Sequence, residues 1–117
     1  MITAAALADR LDGIAAELTA AGVPATTNPN RVKVPGAFVA LDSIAASPLA
    51  RGAVTGTAAV HLIARDAPHH RAVDALANLL DSTLNGVEDN PARIDLEALQ
   101  LPTYEIPLPT MTLIFEL

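Results

Sequence analysis

Residues 110–117 read Thr-Met-Thr-Leu-Ile-Phe-Glu-Leu, TMTLIFEL, and alternate without a break. In an extended chain Met111, Leu113, Phe115 and Leu117 fall on one side, and Thr110, Thr112, Ile114 and Glu116 on the other. A strand with such an inner face must pair and bury it, or it becomes an aggregation hazard. The segment is therefore expected to be built into a sheet rather than to fray, as chain ends ordinarily do. Just before it, Pro107 and Pro109 flank Leu108 and lack the Gly, Asn or Asp of a tight hairpin. They predict a kinked, extended lead-in.

The other segments supply what this strand needs to pair with. In RIDLEAL (93–99), Ile94 and Leu96 alternate with Asp95 and Glu97, a strand pattern. VTGTAAVHLIAR (54–65) sets Val54, Gly56, Ala58, Val60 and Leu62 against Thr55, Thr57, His61, Ile63 and Arg65. Shorter extended pieces are expected at Arg31–Val34 and Ala37–Leu41, separated by Pro35-Gly36. SIAASPLARG (43–52) then reads as a loop, long for a hairpin connection and carrying the apolar Ile44 and Leu49.

Two helices complete the order. TAAALADRLDGIAAELTAAG (3–22) repeats Leu7, Leu11, Ile14 and Leu18 at helical spacing, with Thr3 placed to cap and Gly22 suited to the left-handed position after the last turn. Gly13 inside it costs about 1 kcal/mol relative to alanine. The second helix, near Ala67 to Leu84, has Asp66 as its expected cap and Pro68 in its first turn. Its expected buried face is Val73, Leu76, Ala77, Leu80 and Leu84. The fold class expected is α+β: a mixed, mainly antiparallel sheet packed with two helices, in the order α-β-β-α-β-β, forming one domain over 1–117.

Composition narrows function. The chain is 51% hydrophobic but only 3% aromatic, and much of the apolar content is alanine. The core therefore rests on a modest set of Leu, Ile and Val, each worth roughly 1.5–3 kcal/mol when fully buried. An oligomer would supply burial that the monomer lacks. A net charge of −6, with Lys33 as the lone lysine, argues against tight nucleic-acid binding, which needs clustered cations. An acidic surface repels DNA, which suits a wall that DNA slides past. No cysteine provides a disulfide or thiol, no basic-then-apolar leader opens the sequence, and no apolar run is long enough for a membrane span. The expectation is a soluble protein made inside the cell, with no membrane partner.

Catalytic patterns are weak. His69 and His70 are adjacent and point about 100° apart on a helix, so they do not share one ion readily. His70 and Asp74 share a face but lack a third ligand at suitable spacing, and the plain reading is a solvated i,i+4 pair. His61 reads as a surface or interface histidine. Ser43, Ser47 and Ser82 lie in no nucleophile-elbow pattern, Glu88-Asp89 and Asp95 with Glu97 read as solvated charge, and the glycines form no phosphate cradle. No catalytic residue, metal or cofactor is assigned. The stronger signal is apolar surface without an evident home: Ile63 and Ile114 on outward strand faces, Ile44 and Leu49 in the long loop.

The succession of LADRLDGIAAEL, VPGAFVAL, AVHLIAR with HRAVDALANLLDSTL, and YEIPLPTMTLIFEL resembles the tail terminator proteins of long-tailed bacteriophages. The likeness is one of element order, size and character over nearly the whole chain, with no invariant motif. It implies a structural virion protein without catalytic residues. Such proteins form a ring, usually of six subunits, at the head-proximal end of the tail tube, which ends tube growth and presents a surface to the head-closure protein. The partners implied are the chain itself, the tail tube protein and the head-closure protein, with DNA only as passing cargo. The location implied is the virion, after assembly in the host cytoplasm. Loop length and apolar content nominate Ile44, Pro48, Leu49 and Arg51 as subunit or tube contacts, and an outward strand position adds Ile63. A head-closure or head-tail adaptor role at the same joint is the alternative, followed by a small ligand-binding module around His61, His70 and Asp74.

Overall fold

The computed structural model describes residues 2–47 and 51–117. The fold is α+β: six strands in one mixed sheet and two α-helices. Strands β1 (Ile2–Thr3), β2 (Ala25–Thr26), β3 (Gly36–Ala46), β4 (Ala53–Ile63), β5 (Arg93–Leu99) and β6 (Leu108–Glu116) are joined with helices α1 (Leu7–Ala20) and α2 (His69–Gly86). The sheet order is β2-β3-β4-β6-β5, with β1 also pairing β4, and only β2–β3 is parallel. The two-residue strands β1 and β2 precede and follow α1, so the observed order is richer than the α-β-β-α-β-β expected. Strands this short carry no readable alternation.

The alternation at 110–117 is realised as β6, a central strand between β4 and β5. Leu113 and Phe115 are buried with Val60, Leu62, Ala37 and Val39 beneath the helices, and Met111 packs against them. Helix α1 contributes Ala15 and Leu18, while Leu11 and Ile14 flank them. Its end is closed by two bonds, Val23 N–H to the Leu18 carbonyl (2.9 Å) and Gly22 N–H to that of Thr19 (3.1 Å), with Gly22 at φ +92°. That is the Schellman arrangement, and its apolar contact is the buried pair Leu18 and Val23.

Local details depart from expectation. Thr3 does not cap α1: it pairs with Ala53 in β1, a 3₁₀ turn at Ala4–Ala6 intervenes, and no side chain caps the helix. Asp66 does not cap α2 either; Pro68 holds the N-cap position. Helix α2 is also rolled relative to the expected face. Ala72, Leu76 and Thr83 are buried, whereas Val73 and Leu84 are each 40% exposed. Arg31 closes a 3₁₀ turn instead of starting a strand.

The largest correction concerns 43–52. Strand β3 continues to Ala46, so Ile44 is a strand residue opposite Gly56, and the connection shrinks to Ser47–Gly52. The register shifts between Leu41 and Ser43, which leaves Asp42 as the bulged residue. Gly56 is required there: a Cβ would lie 2.5 Å from the Ser43 carbonyl oxygen and 3.1 Å from Ile44 Cγ2.

The face away from the helices is covered at one end. Val32, Ile63, Leu101 and Leu108 form a second buried cluster, with Val34, Phe38 and Leu99 packed on it. Ile63 is 0% exposed, so it is no surface contact. The segments 31–34 and 99–108 fold over it, which period-two alternation within one strand cannot foretell.

Candidate interaction surfaces

Beyond the end of β6, strands β3 and β4 continue as a hairpin arm. Strand β6 pairs with β4 only from Thr57 to Ile63, whereas β3 pairs with it back to Val54. On the side vacated by β6, the arm gains β1, through Ile2 opposite Val54 and Thr3 opposite Ala53. The described residues measure 49 × 29 × 22 Å along their principal axes, an elongated body for its size. Ile44 on the arm is 52% exposed, and Arg51 is exposed at its turn. Pro48 and Leu49 lie outside the described residues. Of the nominated contacts, Ile44 and Arg51 therefore share the arm, and Ile63 is removed to the second core cluster.

The histidine neighbourhood does not assemble. His61 lies on the sheet face opposite the helices, while His70 and Asp74 are on α2. Among the described residues, no group of three or more His, Asp or Glu side chains is placed to hold a metal ion. His61 instead joins a cross-strand chain that sequence spacing could not show. Its Nδ1 lies 2.8 Å from Thr112 Oγ1, and Thr112 donates to Glu97 Oε1. Because the hydroxyl has one proton and gives it to the carboxylate, a neutral His61 must carry its proton on Nδ1 and donate to Thr112. The chain of donors thus runs β4 to β6 to β5 and ends on a carboxylate, with Phe38 stacked on the imidazole at 5.8 Å. In that order Nδ1 is a donor and cannot take a proton from Thr112. Burial pushes His61 below its ordinary value of 6.5, and the charge of Glu97 3.4 Å away, with a smaller contribution from Asp42, pulls it partly back. The arrangement ties three strands together.

A cavity of about 370 Å³ opens between α1, the root of the sheet and the segment after α2. Ile14, Leu18, Val60, Val87 and Phe115 supply its apolar walls. Asp9, Glu17, Glu88, Asp89 and Glu116 set five carboxylates around it against the guanidinium of Arg10. Arg10 is itself held 3.8 Å from Asp89. Both groups of that pair are well exposed, so solvent screening leaves it weak. Gly13 also lines this cavity, and a Cβ built on it would meet nothing within 4 Å.

The sheet edges differ. Strand β5 is the outer strand on one side, with Leu96 70% exposed and Ile94 43% exposed. These residues pair with Met111 and Leu113 and so share the helix-side face, but lie beyond what the helices cover. No helix among the described residues is long and apolar enough to cross a membrane. No protein-family model, no curated protein and no solved structure matches this chain.

Proposed function

We propose that the chain is a structural subunit of a ring, without catalytic role, and specifically a tail terminator of a long-tailed bacteriophage. In this reading it caps the head-proximal end of the tail tube, ends tube growth and offers a surface to the head-closure protein. The observation that carries the assembly part is the hairpin arm: two paired strands run on past the end of β6 and hold Ile44 52% exposed. Such an arm gains main-chain hydrogen bonds but little apolar burial from its own chain. A neighbouring subunit or the tube supplies what is missing, and head-to-tail contacts of this kind close into rings. The acidic charge of −6 suits a lumen through which DNA passes without adhering.

Electron microscopy of lysates from the source phage, with this gene interrupted, tests the assignment. Full heads beside unattached tails of overlong or irregular length are the expected result. Tails of normal length that fail to join would move the protein to the head side of the joint, as a head-closure or adaptor protein. Ordinary infectious particles would remove the virion reading altogether.

A further inference from the structure

The two edges of the sheet are finished differently. On one side β2 has two residues, and β3 beside it is bulged at Asp42, both devices that blunt an edge. On the other side β5 runs seven residues in unbroken register with β6, which is its one strand partner among the described residues. No proline, glycine, lysine or bulge interrupts residues 93–99. Such an edge presents main-chain N–H and C=O groups that a further strand satisfies. Beside it Ile94 and Leu96 are 43% and 70% exposed.

We propose that this edge is an interface between two copies of the chain, their β5 strands paired antiparallel about a two-fold axis at Asp95. The order of side chains selects both the occupant and the register. An axis perpendicular to the sheet keeps its two faces continuous, so apolar positions meet apolar ones and charged positions meet charged ones. With the axis at Asp95, Ile94 lies opposite the second copy's Leu96 and Arg93 opposite its Glu97, and each contact occurs twice. Apolar and opposite-charge pairs directly across two strands are what stabilises a sheet.

The charged groups are placed for this. Arg93 reaches Asp95 through Nε at 2.8 Å, Glu97 holds Thr112 through Oε1, and their side chains are 64% and 44% exposed. The two Asp95 side chains meet at the axis, and the guanidinium that each already holds offsets their like charge. Neighbouring registers fit less well. An axis at Leu96 sets Asp95 against Glu97 twice, and an axis at Ile94 carries Leu96 and Glu97 past the start of the second copy's strand at Arg93. Charge and apolar pairing thus choose the same register. A two-fold contact closes after two copies, so it is separate from the head-to-tail contacts of a ring and stands or falls independently of them.

Charge reversal tests it. Arg93→Glu sets four carboxylates in like-charge pairs across the axis, and Glu97→Arg sets four guanidiniums there. In sedimentation equilibrium each folded variant alone should dimerise about tenfold more weakly than the wild type, because like charges directly opposed destabilise a strand pair. An equimolar mixture of the two should recover the wild-type affinity, since every opposed pair is then of unlike charge. A mixture no tighter than its components overturns the proposal, and so does a wild type that stays monomeric at about 1 mM. Oligomers that both variants keep unchanged belong to another contact and also overturn it. Disulfide trapping reads the register without reversing a charge pair, in a chain that has no cysteine of its own. Asp95→Cys should oxidise to a dimer about tenfold faster than Leu96→Cys, because in this register residue 95 alone faces its own copy. Equal rates, or a faster Leu96→Cys, overturn the axis at Asp95.

Discussion

Strands β3 and β4 each run for eleven residues, yet their two halves live in different surroundings. At the root, Val39 and Val60 are cross-strand partners and 1% and 0% exposed. On the arm, Ile44 faces a glycine and is 52% exposed. The backbone pairing is the same in kind at both ends, and a hydrogen bond nets only about 0.5–1.5 kcal/mol. What distinguishes them is side-chain burial, worth roughly 1.5–3 kcal/mol for each large apolar residue at the root. The root builds the domain, and the arm adds strand pairing with little apolar burial of its own.

That contrast can be broken most severely at β6, the strand that stops where the arm begins. Deleting Ile114–Leu117 removes the buried Ile114 and Phe115 from a central strand. The expected outcome is loss of cooperative melting or insolubility; a soluble truncation with a sharp transition would show the strand to be peripheral. A milder pair of variants measures the two halves directly. Leu113→Ala should cost about 2–5 kcal/mol in denaturant unfolding, as for other buried leucines. Ile44→Ser should stay within about 0.5 kcal/mol in the dilute monomer and weaken assembly instead. Similar losses from both would mean that the arm is part of the core.

The root also predicts a pH effect. His61 binds its proton less readily when folded than when unfolded, because burial disfavours the imidazolium. Below the ordinary value of 6.5 the unfolded chain therefore takes up more protons at this residue. Its contribution is present above that value and is lost as pH falls through the folded one. Melting temperature should drop on acidification, and drop less in His61→Gln. An unchanged pH profile in the variant would show that His61 is not the group responsible. The smallest effect is expected from Gly13→Ala, in α1 at the rim of the cavity beside the root. Helix propensity should raise stability by up to about 1 kcal/mol, since the added methyl meets no neighbour. Destabilisation would mean that the cavity beside α1 is closed by packing within the monomer.

The periodic segments were legible because one strand or one helix carries its own evidence of a buried face. TMTLIFEL, VTGTAAVHLIAR and RIDLEAL each became a strand, and the end of α1 at Gly22 followed from local chemistry. The arm was not legible, since Ser43, Ala45 and Ala46 have little strand preference of their own and pair only because β4 lies alongside. Loop composition drew attention to Ile44 and Arg51, which lie on the exposed arm, whereas strand alternation put the fully buried Ile63 on the surface.

By itself, then, the sequence determined which segments alternate, where the helices lie, and that acidic charge and scarce aromatics would mark the molecule. Those are properties of neighbours along the chain. Only the tertiary structure decided that residues 99–108 cover Ile63, that His61 reaches Glu97 through Thr112, and that α1 leaves an acidic hollow beside Phe115. Each of these joins residues remote in sequence, through contacts that no local period encodes.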